Sequence, residues 1–363
     1  NKPKEMIEMK RIVLTGGGTA GHVIPNIALI PYLKENGFDI SYIGTKDGIE
    51  HNLISEYKDI EYYSIKSGKL RRYLDVKNLS DPFRVLYAIG QSANIIRTLK
   101  PEILFSKGGF VSVPVVIGAW LNSVPIIIHE SDLTPGLANR IATKFAKKVC
   151  TTFPDTVSLF KDEKAIHTGT PIRKELLEGS KALGFNICNF NNKKPVILIM
   201  GGSLGAVSIN RAIRSILNRL TAKFQVIHIC GRGNVDNGFR NYPGYVQFEY
   251  VGEELAHLMA ICDIVISRAG ANAIYEFLAL KKPSLLIPLP LSASRGDQLD
   301  NAKSFEKQGF SKVLFQEDMT DETLYSSILE LYENRHVFID NMKDHNMESS
   351  IDIILKLIEK HKK

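Results

Sequence analysis

The stretch Arg11-Ile-Val-Leu-Thr-Gly-Gly-Gly-Thr-Ala-Gly-His22 limits the possible folds more than any other part of the chain. An apolar, β-prone run stops at four glycines within six positions, and a helical pattern follows. Glycines let the backbone turn tightly and approach a ligand without a Cβ in the way. The first N–H groups of the following helix have no partners of their own and favour negative charge. A turn required only for packing needs fewer glycines. The pattern therefore predicts a phosphate-facing loop with His22 at the helix entrance.

The same alternation continues along the chain. Strands are expected at Arg11–Thr15, Ile40–Gly44, Glu61–Ile65, Ile103–Ser106, Pro125–His129, Val149–Thr152 and Ala165–Thr168. Helical patterns lie between them, including Asp81–Leu99, expected to bury Phe83, Leu86, Tyr87 and Ile95. Pro31 should kink or shorten the first helix. After the polar stretch Glu178–Lys194 the pattern restarts, with Pro195–Met200, the turn Gly201–Ala206 and a helix over Val207–Leu220. Further strands are expected at Phe224–Ile229, Val246–Tyr250, Asp263–Ser267, Ser284–Pro288 and Lys312–Phe315. Strands regularly separated by helices predict parallel sheets covered on both faces, and 363 residues suit two such units in an α/β, doubly wound architecture. The apolar face of the last helical segment suggests a C-terminal helix crossing back to the first unit.

No run of eighteen apolar residues occurs, so no transmembrane helix is expected, and Asn1–Lys10 lacks the apolar core of a secretory signal. Cys150, Cys188, Cys230 and Cys262 are far apart without a CxxC, which suits buried reduced thiols in a cytoplasmic protein. The formal charge of +7 suits phosphates, anionic lipids or nucleic acid without choosing among them. No Asp-x-Asp pair and no His/Cys cluster with ligand spacing is present, so no metal site is expected.

Gly16-x-Gly18-x-x-Gly21 also fits a dinucleotide fingerprint, but that fold needs a carboxylate near the end of the second strand. Here that strand ends Ile43-Gly-Thr-Lys46, with no carboxylate before Asp47. A nucleotide is better served elsewhere. Gly201-Gly-Ser-Leu-Gly205 offers Ser203 and free N–H groups to a diphosphate, or is a plain turn. Lys107-Gly-Gly-Phe-Val111 is a third glycine loop between a strand and a helix. Glu276, beyond Ser267-Arg-Ala-Gly270, can accept two hydrogen bonds from ribose hydroxyls or pair on a helix surface. Ser294-Arg-Gly-Asp-Gln-Leu-Asp-Asn301 reads as a sugar loop or as a helix start capped near Asp297. Arg173 is either a cation for a diphosphate or a surface arginine after a proline turn.

With these residues in order, the chain resembles the MurG family of peptidoglycan N-acetylglucosaminyltransferases, which act on a lipid-linked acceptor. The likeness runs through Thr15–His22, Gly108-Gly-Phe-Val-Ser112, His129-Glu-Ser-Asp132, Gly169-Thr-Pro-Ile-Arg173, Gly201–Gly205, Ser267–Gly270 with Glu276, and Arg295-Gly-Asp-Gln298. It departs where some members have Gly-Gly-His for Ala20-Gly21-His22, asparagine for Asp132 and glutamine for Asp297. The resemblance implies a GT-B fold of two Rossmann-like domains facing a cleft. It implies residues 1–170 with the C-terminal helix 346–363 as an acceptor- and membrane-facing domain, and 171–345 as the UDP-sugar domain. The implied reaction transfers N-acetylglucosamine from UDP-N-acetylglucosamine to the 4-hydroxyl of undecaprenyl-pyrophosphoryl-muramyl pentapeptide (lipid I), with inversion and without a cofactor.

By position, Glu276 would hold the ribose, Ser203 and Arg173 the diphosphate, and Gln298 the sugar. Thr19, Ala20, Gly21 and Asp132 would approach the sugars, and Gly17, Gly18, Gly108 and Gly109 the acceptor pyrophosphate. His22 is the expected base, with Glu130 or Asp132 as rivals. Lys66, Lys69, Arg71, Arg72 and Lys77 beside Leu70, Tyr73, Leu79 and Phe83 suggest an anionic membrane surface as a further partner, from the cytoplasmic side, and no nucleic acid. A UDP-N-acetylglucosamine 2-epimerase-like enzyme and a non-catalytic nucleotide-sugar-binding protein are the alternatives.

Overall fold

The computed structural model describes residues 10–66, 81–202, 205–344 and 349–363. Ser203, and Lys69, Leu70, Arg71, Arg72, Tyr73, Lys77 and Leu79 of the basic–apolar stretch, lie outside the described residues. The chain divides into two compact units, Asn1–Pro171 with Glu348–Lys363, and Ile172–Met347.

In the first unit the strands are β1 (Lys10–Thr15), β2 (Phe38–Thr45), β3 (Glu61–Ile65), β4 (Ile103–Ser106), β5 (Ile126–Glu130), β6 (Lys148–Thr151) and β7 (Ala165–His167). They form a sheet ordered β3-β2-β1-β4-β5-β6-β7, parallel at every pairing. The strands are rich in Ile, Val and Leu because helices cover both faces and leave no solvent side. β1 lies between β2 and β4, and the register Thr15↔Ser106 sets the loops after β1 and β4 side by side at one carboxyl edge. That edge, where strand order reverses, is where open α/β sheets place their ligands.

The C-terminal helix Ser349–His361 belongs to this first unit. Its Ile351, Ile354, Leu357 and Ile358 join the core of Leu14, Leu29, Leu33 and Phe38. Burying each of these aliphatic side chains contributes about 1.5–3 kcal/mol. Lys10 Nζ meets Glu359 Oε1 at 2.8 Å near the half-exposed rim of that contact.

The second unit holds β8 (Val196–Met200), β9 (Gln225–Ile229), β10 (Tyr245–Phe248), β11 (Ile264–Ser267), β12 (Ser284–Leu286) and β13 (Ser311–Val313). Their order is β10-β9-β8-β11-β12-β13, again parallel throughout. The register Met200↔Ser267 brings the loop after β8 beside the loop after β11. Each unit therefore has one switch point, flanked by a glycine turn.

Three local expectations need correction. The first helix, Ile24–Glu35, continues four residues beyond Pro31 and so is not shortened there. The helix Asp81–Leu99 buries Ala88, Ser92 and Ile96, while Phe83, Leu86 and Tyr87 are 75%, 64% and 56% exposed. Helical periodicity identifies an apolar face but not what covers it. Finally, Val207–Leu220 is two helices, Val207–Ser215 and Leu217–Lys223, with Ile216 off helical geometry between them.

Candidate active site

At the switch point of the first unit, β1 ends at Thr15 and Ala20–His22 forms one 3₁₀ turn ahead of the helix Ile24–Glu35. Gly18 and Thr19 are exposed, and Ala20, Gly21 and His22 are half-buried. The loop after β4 packs directly on this turn. Gly17 N donates to Gly108 O at 3.3 Å. Gly109 has φ +82°, and a Cβ there would collide with the Gly17 carbonyl oxygen. Only glycine lets the two loops approach so closely.

His22 Nδ1 lies 3.1 Å from Lys107 O. A carbonyl only accepts, so Nδ1 donates in this contact, which a neutral ring with its base at Nε2 also requires.

Glu50 is a site residue that the sequence pattern missed. Its fully buried carboxylate accepts from Gly18 N and Thr45 N, each at 3.0 Å, and from Thr45 Oγ1. A Cβ on Gly17 would strike it. The carboxylate absent up to Asp47 is thus present at Glu50, on the helix Ile49–Ile54, and is spent on the loop backbone. Its signal in the sequence was only a glutamate in a short helix next to a strand end, which is common.

Beneath the loop, Lys107 is fully buried, with Nζ 2.7 Å from His129 Nδ1 and 2.6 Å from Ser131 Oγ. His129 Nε2 lies 2.8 Å from Gly169 O, so Nε2 donates there and Nδ1 accepts from Lys107. Burial pushes the Lys107 ammonium down to about 7, partly offset by Glu130, Asp132 and Cys150. Burial, then the charge of Lys107, holds His129 well below the ordinary imidazole range. Glu130 is buried and accepts from Asp132 N, Gly136 N and Asn139 Nδ2, each at 3.0 Å. Its carboxylate organises the Ser131–Gly136 turn, and every one of those contacts would be lost if it moved to a substrate. This geometry argues against Glu130 as the base. Asp132 follows it, half-buried.

In the second unit, Gly201 and Gly202 follow β8, and Val207–Ser215 starts at Ala206 with no side-chain cap. Arg268, buried after β11, locks this start in place. Its Nη2 donates to Ser208 Oγ at 2.9 Å and Gln316 Oε1 at 2.7 Å, and its Nη1 to Ile287 O at 3.0 Å. Glu276 sits half-buried on the helix Ala271–Ala279. Desolvation pushes its carboxyl up to about 7, against the opposing pull of Arg173. The structure therefore brings Arg173 and Glu276 into one electrostatic neighbourhood, and Arg173 Nε is a buried donor with no hydrogen-bond partner among the described residues. Gln298, in the first turn of Asp297–Lys307, accepts from Leu289 N through Oε1 at 3.1 Å, which turns its NH₂ group away from that backbone. Asp297 pairs with Arg295 at 3.2 Å, as a helix-start residue would.

Two parallel, doubly wound units, each with a glycine turn at its switch point, have the architecture of the GT-B class. Residues 12–151 match the glycosyltransferase family 28 N-terminal domain, and residues 196–357 the glycosyltransferase family 28 C-terminal domain. The chain belongs to glycosyltransferase family 28. It is 56% identical over 355 residues, 98% of this chain and 100% of the relative, to a UDP-N-acetylglucosamine–N-acetylmuramyl-(pentapeptide) pyrophosphoryl-undecaprenol N-acetylglucosamine transferase of Clostridium botulinum (strain Langeland). A protein of the same description from Lachnospira eligens is 57% identical over 98% of this chain and 100% of its own. Among solved structures, the crystal structure of Acinetobacter baumannii MurG superposes with a TM-score of 0.77 at 26% identity, covering 97% of this chain and 99% of that one. A UDP-N-acetylglucosamine 2-epimerase, at TM-score 0.67 and 13% identity over 97% of each chain, shares the fold alone.

Proposed function

We propose that this chain transfers N-acetylglucosamine from UDP-N-acetylglucosamine to the 4-hydroxyl of the muramyl sugar in lipid I, giving lipid II with a β(1→4) bond. The observation that carries this reading is the 56% identity along 98% of the chain to relatives described by that reaction. The 2-epimerase alternative has only a 13% identical structural likeness behind it.

In this reading the first unit receives the acceptor and the second the donor. The acceptor oxygen attacks the anomeric carbon and its proton passes to His22 Nε2, while the bond from that carbon to the β-phosphate oxygen breaks and UDP leaves. The charge that develops on UDP is taken by Arg173 and Ser203, the guanidinium by charge and the hydroxyl by hydrogen bonding. Glu276 takes the ribose hydroxyls and the Gln298 amide the sugar. Thr19, Ala20 and Gly21 line the donor sugar, Asp132 adjoins it, and Gly17, Gly18, Gly108 and Gly109 face the acceptor pyrophosphate.

The test incubates the protein with labelled UDP-N-acetylglucosamine and a short-chain lipid-linked muramyl pentapeptide. Label in the lipid product with equal UDP release is expected, and EDTA should leave the rate within twofold. Epimerised donor without lipid product would overturn the reading.

Membrane contact from the cytoplasmic side belongs to the same proposal. Phe83, Leu86 and Tyr87 leave an apolar stripe exposed on one helix, with exposed Lys66 before it in the chain. Apolar groups with flanking cations suit an anionic lipid surface. The protein is expected to co-sediment with phosphatidylglycerol vesicles at low salt, and Leu86→Glu to reduce binding at least tenfold. Equal sedimentation of both proteins would refute the patch.

A further inference from the structure

Lys107 takes no part in the chemistry above, yet it is the most unusual charge in the first unit. It is fully buried, and among the described residues no carboxylate lies within ion-pair distance of it. Its side-chain partners, His129 Nδ1 and Ser131 Oγ, are neutral acceptors. A buried ammonium with only neutral partners is unfavourable, so the group sheds its proton readily unless an anion nearby stabilises the charged form. Meanwhile its own carbonyl holds His22, and the next two residues are Gly108 and Gly109.

We propose that Lys107 is a positioning residue for the acceptor, a buried cation that is completed when an anion settles on the Gly108–Gly109 loop above it. This rests on the reading that the loop faces the acceptor pyrophosphate. The groups that face Lys107 are His129 and Glu130 on β5, Asp132 beyond that strand and Cys150 on β6, with His167 on β7 acting on His129. Glu130 is committed to three donors, and the Cys150 thiol is pushed up to about 12 by burial and stays neutral. Burial lowers the Lys107 ammonium of the free protein to about 7, which favours the neutral amine as pH rises above that. An anion nearby favours the ammonium, and the amine then takes one proton from solvent as the acceptor binds. A diesterified pyrophosphate has no group that titrates near neutrality, so the uptake reports on the protein.

The experiment titrates the full-length protein at pH 8 with the short-chain lipid-linked muramyl pentapeptide, by calorimetry in two buffers of different ionisation enthalpy. Wild type is expected to take up about 0.5–1 proton per acceptor bound. Lys107→Met, a neutral side chain of similar length, is expected to take up none, to bind acceptor at least tenfold more weakly, and to keep its melting temperature and UDP affinity. The acceptor KM of wild type should also rise above pH 7, and that of the variant should stay flat. Hydrogen exchange over residues 106–112 tests the underlying reading separately. If the acceptor gives that segment no protection, the loop assignment falls and the proposal with it. Protection together with equal proton uptake by both proteins overturns the role of Lys107 alone.

Discussion

His22→Ala is expected to lower kcat by ~10²–10⁴-fold, the usual worth of a positioned general base, while UDP affinity stays within twofold. The expectation rests on one hydrogen bond. Lys107 O accepts from Nδ1, which orients the ring as a base acting through Nε2 requires. The ring is half-buried, so its removal is not expected to unfold the unit, and thermal melting checks that directly. Single-turnover rates separate chemistry from release. A variant within threefold of wild type would remove His22 from the chemistry. Glu130→Gln offers a contrast: it should loosen the Ser131–Gly136 turn, because its carboxylate is spent on three donors and the amide nitrogen cannot accept.

Most of the architecture was legible because a parallel sheet leaves a strong record in sequence. Buried on both faces, β1, β4, β8 and β11 read as short unbroken apolar runs, and the glycines after them mark the carboxyl edge. Strand ends shifted by only a residue or two, as for β10, expected at Val246–Tyr250 and found at Tyr245–Phe248. Failures came where one pattern serves two environments. Phe83, Leu86 and Tyr87 have the spacing of a buried face, but the helix turns Ala88, Ser92 and Ile96 inward. Ile216 interrupts a helical pattern that remained apolar, because side-chain periodicity does not record one backbone angle.

The site divides the same way. The glycine-rich turns proposed to face ligands stand out in one dimension. The contacts that hold those turns do not. Glu50 reaches the site from a position that looks ordinary in sequence, and Lys107 and Arg268 stand within motifs that do not reveal what their side chains hold; each of the three satisfies backbone or side-chain groups of another element. Such partnerships depend on strand order. Lys107 meets Ser131 because β4 and β5 are neighbours, and Arg268 meets Ser208 because β8 and β11 are.

Glu276→Gln is expected to stabilise the protein at pH 8 while weakening UDP binding by 10–100-fold. Desolvation raises the carboxyl to about 7, more than Arg173 lowers it. An acid raised above its unfolded value costs the fold stability as pH rises from the ordinary carboxylate range through 7. The amide removes this cost, so melting temperatures should diverge at pH 8 and converge near pH 4. Ribose hydroxyls donate better to the ionised form, and hydrogen bonds to a charged group contribute about 1.5–3 kcal/mol, the range of the expected loss in affinity. Donor affinity of wild type should therefore fall as pH drops below 7, and the variant should lose that limb, since the titration of the diphosphate is common to both. Lys107 predicts the opposite limb for the acceptor, weaker above 7, so the two substrates together favour turnover near neutrality. A Glu276→Gln protein that melts lower at pH 8 and binds UDP as wild type does would place the ribose elsewhere and make Glu276 a structural partner of Arg173.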